Sequence, residues 1–333
     1  MKTFRRCLSL YAIVICILTG TGWILTDTVW AEPPMAAGGS SFNGKQAYQY
    51  LRELCSFGNR MSGSKGMALQ QEYLEKFFKE LVFFKDLGVE VEYQRFDTNH
   101  PITKQNVPLA NIIVRFHPDR AERILMCAHY DTRPLPEEDI PRLRQSGVFV
   151  GANDGASGVA VLMELAHHVK SLPDKYGLDF VFFDAEELVY GRRGEYFLGS
   201  EFFAEDYAKG DRDYEYVAGV LLDMVGDSKL NIYQEGHSVA WADTRPIVQG
   251  IWETAAREGV MEFYPRVGRH IQDDHLPLNR IGGIPVVDII DFEYPDQSNA
   301  YWHTTNDAPG KCSAESLGKV GLVMLEWLRS AEE

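Results

Sequence analysis

The sequence predicts an α/β fold, a three-layer sandwich with a central, mostly parallel mixed β-sheet covered by helices on both faces. Three observations carry this. Short apolar runs alternate with longer segments of helical periodicity along the chain. Several of the short runs are apolar at successive positions, as strands covered on both faces must be. No internal repeat and no Pro/Gly/Ser linker divides the chain after Ser41, so residues 42–333 read as one domain.

Residues 1–31 stand apart. Lys2, Arg5 and Arg6 precede an apolar run from Cys7 to Leu25, and Val29 and Ala31 fit the minus-three and minus-one positions of a cleavage site. This reads as a secretory signal cleaved after Ala31, with an uncleaved signal anchor as the rival. Ile15, directly before Cys16, speaks against a lipoprotein anchor. Residues 32–41, rich in Pro, Gly, Ala and Ser, read as a flexible lead-in. The expectation is an exported chain, periplasmic or secreted, with no stable membrane partner after cleavage.

Residues 43–87 repeat Tyr48, Leu51, Leu54, Met67, Tyr73, Leu74, Phe77 and Phe78 at helical spacing. Val89 to Phe96 alternates as a half-buried strand, and Ala110 to Phe116 follows as a second. Arg123 to His129 is a continuous apolar run, the pattern of a central strand. A helix over Ser157–Lys170 buries Val161, Leu162, Leu165 and Val169. Then come a strand at Leu178–Phe183, a helix at Ser200–Tyr207 and a strand at Tyr216–Leu222. A helix at Thr244–Glu258, a strand at Ile284–Ile290 and a closing helix at Ala314–Leu328 complete the order.

The chain carries 33 Lys+Arg against 48 Asp+Glu, a formal charge of −15. Cleavage after Ala31 removes Lys2, Arg5, Arg6 and Asp27 and leaves −17. An acidic chain excludes a nucleic-acid backbone as partner, because phosphates need a basic face. Of five cysteines, Cys55, Cys127 and Cys312 remain after cleavage. One bridge among them, involving Cys55 or Cys312, fits an oxidising compartment, while Cys127 reads as a buried thiol within a strand. No CxxC pair is available for a cysteine zinc site, and no GxSxG elbow or phosphate loop occurs. No sequence feature specifies an oligomeric state.

Polar clusters follow the apolar strands. They are His129-Tyr130-Asp131, Asp184-Ala185-Glu186-Glu187, Asp223-Met224-Val225-Gly226 and Trp302-His303, with Asn153-Asp154-Gly155 just before a helix. Singly, His129 reads as a hydrogen-bonded strand end, Asp154 as a helix cap and Glu186-Glu187 as a solvated face. In combination they reach the carboxyl edge of one open sheet, where such sheets bind ligands. Carboxylates and imidazoles gathered there call for a cation, and zinc accepts this mixture of donors.

These segments resemble the zinc-dependent aminopeptidase superfamily and, within it, the glutaminyl-peptide cyclotransferases. The resemblance rests on Gly58–Ser64, Ala128–Asp131, Gly151–Asp154, Phe182–Glu187, Leu221–Gly226, Gln272–His275 and Trp302–Thr304. It implies Asp154, Glu187 and His303 as ligands of one zinc and Glu186 as catalytic acid/base. It also implies Asp223 and Asp273 as acidic partners of Glu186, with Gln272 and Trp302 lining the substrate pocket. The implied reaction is an acyl transfer: N-terminal glutamine of a peptide or protein closes to pyroglutamate and ammonia leaves. The alternative is a two-zinc aminopeptidase, in which His129 and Asp223 hold a second metal and water cleaves the first peptide bond. A catalytically silent binding module on the same fold is a third reading, against which Glu186 and the three zinc ligands all speak. The chain departs from the animal cyclotransferases at Leu188–Gly194, at Asp288 in place of His, and in extra polar residues between Asp291 and Ala300.

Overall fold

The computed structural model describes residues 41–80 and 88–330; the segment on which the export reading rests, with nearly all of the lead-in, lies outside the described residues. Six strands form the principal sheet: β1 (Glu90–Asn99), β2 (Asn106–Phe116), β3 (Glu122–His129), β4 (Gly177–Phe183), β5 (Glu215–Asp223) and β8 (Val286–Ile290). Their spatial order is β1-β2-β4-β3-β5-β8. β4, β3, β5 and β8 run parallel, and β1 and β2 add an antiparallel edge. The mixed, mostly parallel sheet is the architecture expected.

Alternation along the strands divides the core. On β3, Ile124, Met126 and Ala128 face one layer, and Leu125 and Cys127 face the other. The first layer is built from α1 (Gly44–Ser56), α2 (Lys65–Glu80), α4 (Ser157–Ala166), α7 (Arg245–Arg257) and α9 (Ala314–Ser330). The second packs α5 (Leu198–Ala208) and the short α8 (His275–Arg280). Every residue of α4 is buried, so it is the central helix beneath the sheet rather than an amphipathic surface helix.

The structure differs from the sequence reading in four places. The helical stretch after Asn43 is two helices, broken between Phe57 and Ser64, where Gly58 and Gly63 adopt φ of +77° and +74°. The helix from Ser157 ends at Ala166, and a single 3₁₀ turn, Val169–Ser171, follows it. The strand expected from Ile284 begins at Val286, because Pro285 opens it. A second, two-stranded parallel sheet joins β6 (Ile232–Gln234) to β7 (Phe263–Val267), and α3 (Leu143–Ser146) and α6 (Gly236–Ala240) are short helices that no periodicity announced. Cys55, Cys127 and Cys312 are buried free thiols, so the bridge left open by the sequence is not formed. Among the described residues, no helix is long and apolar enough to cross a membrane.

Candidate metal centre

The carboxyl ends of β3, β4 and β5 deliver His129, Asp184 and Asp223 to one edge, and the turns beyond them carry the rest of the site. Three of these turns bend through left-handed backbone at residues other than glycine: Ala185 (φ +58°), Met224 (φ +50°) and His303 (φ +54°). Such conformations cost of order 1–3 kcal/mol each and persist where the surroundings enforce them. Gly155 (φ +93°) is required for a second reason. A Cβ there would sit 2.4 Å from the Asp131 carbonyl oxygen and 3.2 Å from the His129 ring.

Asp154, Glu187 and His303 converge, all three buried. His303 Nε2 lies 2.8 Å from Glu187 Oε1 and 3.4 Å from Asp154 Oδ2. Asp154 Oδ2 has no hydrogen-bond partner although it is buried, and such an orphan normally marks a missing polar ligand. Two carboxylates and one imidazole form the donor set of a zinc site with an open fourth position. The residues therefore fit the metal.

A second triangle shares a corner with the first. His129 Nε2 is 3.2 Å from Asp154 Oδ1 and 3.2 Å from Asp223 Oδ1. Burial works against charge on His129, but Asp131, Asp154 and Asp223 outweigh it and raise its pKa well above 6.5. Asp154 moves the opposite way: burial would raise it, yet the two histidines hold it well below the usual carboxylate range.

Glu186 stands at the edge of both triangles, with 12% of its side chain exposed and Oε2 4.0 Å from His129 Nδ1. Burial, then the charge of Glu187, raises its pKa well above 4.5, and Asp273 and Asp274 push in the same direction. Asp273 is itself raised well above its usual value, first by burial and then by the charge of Asp223. A carboxylate of raised pKa, reachable from solvent and beside a metal site, can both take and return a proton.

The remaining candidates separate. Trp302 stacks on His303 with ring centroids 3.6 Å apart and packs edge-on against Phe292. Gln272 is exposed, and its amide nitrogen lies 3.4 Å from His237 Nε2, not from a donor of the cluster. Two residues hold the donors in position: Asp131, which the sequence showed as part of a motif, and Arg133, which the sequence reading did not single out. Asp131 accepts the backbone N–H groups of Glu186 (3.1 Å) and Glu187 (3.0 Å). The Arg133 backbone N–H donates to Glu187 Oε2 (3.1 Å), and its guanidinium is 3.4 Å from Oε1. Asp131 was visible as part of a motif, but Arg133 could be found only from its place two residues beyond it.

Residues 111–328 match peptidase family M28. The chain is similar to the glutaminyl cyclase of Fimbriiglobus ruber, with 36% identity over 90% of this chain and 99% of that one, and a TM-score of 0.79. It is similar to the glutaminyl cyclase of Porphyromonas gingivalis at 30% identity, covering 88% of this chain and all (100%) of that one, also with a TM-score of 0.79. Glutaminyl-peptide cyclotransferase of Gloydius blomhoffii is 26% identical over 81% of this chain and 77% of its own length. Sheet order, donor set and sequence agree: the chain belongs to peptidase family M28, in its glutaminyl cyclase branch.

Proposed function

We propose that this enzyme is a zinc-dependent glutaminyl-peptide cyclotransferase, acting on peptide or protein N-termini and releasing ammonia, in an exported setting. The observation that carries the reading is the convergence of Asp154, Glu187 and His303 with partly exposed Glu186 beside them. Those three residues would hold one zinc, which would supply Lewis acidity toward the γ-carbonyl of the substrate. Glu186 accepts a proton from the N-terminal α-ammonium, freeing the amine to attack that carbonyl. It then returns that proton to the amide nitrogen as the carbon–nitrogen bond breaks and ammonia departs. The ring nitrogen keeps one of its three hydrogens and releases its second proton to the ammonia, which then leaves as ammonium, or to solvent. Burial and the charge of Glu187, with Asp273 and Asp274 in the same direction, keep the Glu186 pKa high enough for both roles. Trp302, stacked on His303, offers an apolar wall against which the glutamine side chain folds back. Because nucleophile and electrophile belong to one residue, holding the folded-back conformer supplies much of the rate.

One observation favours a second reading. His129 Nε2 stands within 3.2 Å of both Asp154 and Asp223, a donor triangle able to take a second zinc, as in a two-metal aminopeptidase. A single experiment separates the two. The zinc-loaded protein is given a glutaminyl peptide and, separately, a chromogenic leucine amide, with metal content measured on the same sample. Ammonia release matched to loss of the free N-terminus, with one zinc per chain, is the expected result. Amino acid release with two zincs per chain overturns the cyclotransferase reading.

A further inference from the structure

Two of the three proposed zinc donors come from segments far apart in sequence, and one buried carboxylate joins those segments. Asp307 lies four residues beyond His303 and has 0% exposure. Its Oδ1 accepts the Asn153 N–H at 2.8 Å and its Oδ2 accepts the Asp154 N–H at 3.1 Å. The Tyr294 hydroxyl donates to Oδ1 at 2.8 Å, fixing the carboxylate from the other side. The same turn is gripped at its carbonyls. Buried Arg60 donates to the Val150 oxygen at 2.6 Å and the Gly151 oxygen at 2.9 Å. Amides on one side and carbonyls on the other are thus bonded to groups that cannot shift without stranding buried polar atoms.

We propose that Asp307 is a positioning residue that sets the separation of Asp154 from His303, and through it the affinity and geometry of the metal site. This rests on the reading of those residues as zinc ligands. Asp307 is not one of the proposed donors; it acts by carrying the His303 segment and the Asp154 turn as one unit. An amide cannot replace it. Asparagine has one acceptor oxygen for two N–H groups, and its own NH₂ would face the second donor. The turn would have to rotate, and Asp154 with it.

The test measures zinc affinity by chelator competition on wild type, Asp307→Asn and Tyr294→Phe, and records visible spectra of the cobalt-substituted proteins at saturation. Partners beyond the ligands of a metal are worth about 10- to 100-fold in affinity, so Asp307→Asn should weaken zinc by about that factor. Tyr294→Phe keeps both amide bonds and loses only the outer brace, so a smaller loss, about threefold and below that range, is expected. The cobalt bands of Asp307→Asn should differ from wild type in position or intensity while the far-UV circular dichroism does not change. Asp179→Asn is the control for plain destabilisation, because Asp179 pairs with Arg123 at the opposite end of β4. It should lower Tm and leave zinc affinity unchanged. If Asp307→Asn does not fold, Tyr294→Phe decides alone. Wild-type zinc affinity and wild-type cobalt bands in the folded variants overturn the proposal, as does an equal loss of zinc in Asp179→Asn. A wild-type protein that binds no zinc overturns the metal reading itself, and the proposal falls with it.

Discussion

Glu186 and Glu187 are neighbours in sequence with opposite tasks, and the structure separates them by environment. Glu187 turns into the buried cluster, where Arg133 and His303 meet its oxygens. Glu186 keeps partial access to solvent. Glu186→Gln should therefore cut turnover by at least about 10²- to 10⁴-fold, the usual worth of a positioned acid/base. Zinc content, measured by atomic emission, should stay at the wild-type value. His129→Ala divides the two metal readings: a fall in kcat of less than about tenfold is expected of a one-zinc site, whereas loss of a ligand in a two-zinc site removes the activity. Steady-state kinetics with matched metal analysis give the answer. His129, Glu186, Glu187 and Asp223 were legible because they end or closely follow apolar strands and so emerge at the sheet edge, whereas Asp154 before a helix and His303 in a loop were legible only in combination with them. The roles of Asp307 and Arg60 were not legible, although Arg60 lies in the Gly58–Ser64 segment. Their work is hydrogen bonding to the backbone of a distant turn, and the residues they bond to leave no mark on local sequence.

At the scale of elements, the same contrast holds. β3 and β4 were legible as strands because both faces are covered, so their sequences are almost wholly apolar. β7 was not, since four of its five residues are exposed and show no alternation. α6 was hidden for a different reason: it has five residues and owes its start to one side chain. Glu235 caps it, accepting the N–H groups of His237 (2.9 Å) and Ser238 (2.7 Å), and also accepts the Ile271 N–H at 3.0 Å. Burial alone would raise the Glu235 pKa; His275 and these N–H groups instead hold it down to about 2. A depressed folded pKa stabilises above the unfolded value near 4.5 and loses that contribution as pH falls toward 2. Glu235→Gln should be less stable than wild type at pH 7. The gap should narrow by about 2 kcal/mol at pH 3, where most of the carboxylate's advantage in the wild type is gone. Urea unfolding of both proteins at the two pH values checks this, and a gap independent of pH would refute it.

The whole molecule carries a net charge of −15, and part of that charge is not surface at all. Asp154, Glu187, Asp223, Asp273 and Asp274 are buried at the sheet edge around the proposed zinc, where a dication and shared protons offset them. Others, such as Asp131, Asp179, Asp288 and Asp307, are buried as well, and the acidic groups that do face solvent set up a field that extends over about 8–10 Å at ordinary ionic strength. Every substrate of a cyclotransferase arrives with a positive α-ammonium, so such a field should favour encounter over a wide range of peptides. It should favour peptides with further Lys or Arg still more, because steering grows with ligand charge. The expected outcome is a kcat/KM that falls severalfold between about 0.02 and 0.5 M salt for a glutaminyl peptide bearing two lysines, since added ions shorten the reach of the field. A peptide of the same length with two glutamates in place of the lysines should rise or stay level over the same range. The contrast matters more than either slope, because salt also acts on folding and on zinc binding, and those effects are common to both peptides. Parallel slopes for the two substrates would mean that the acidic surface does not guide the substrate, and that the charge serves solubility alone.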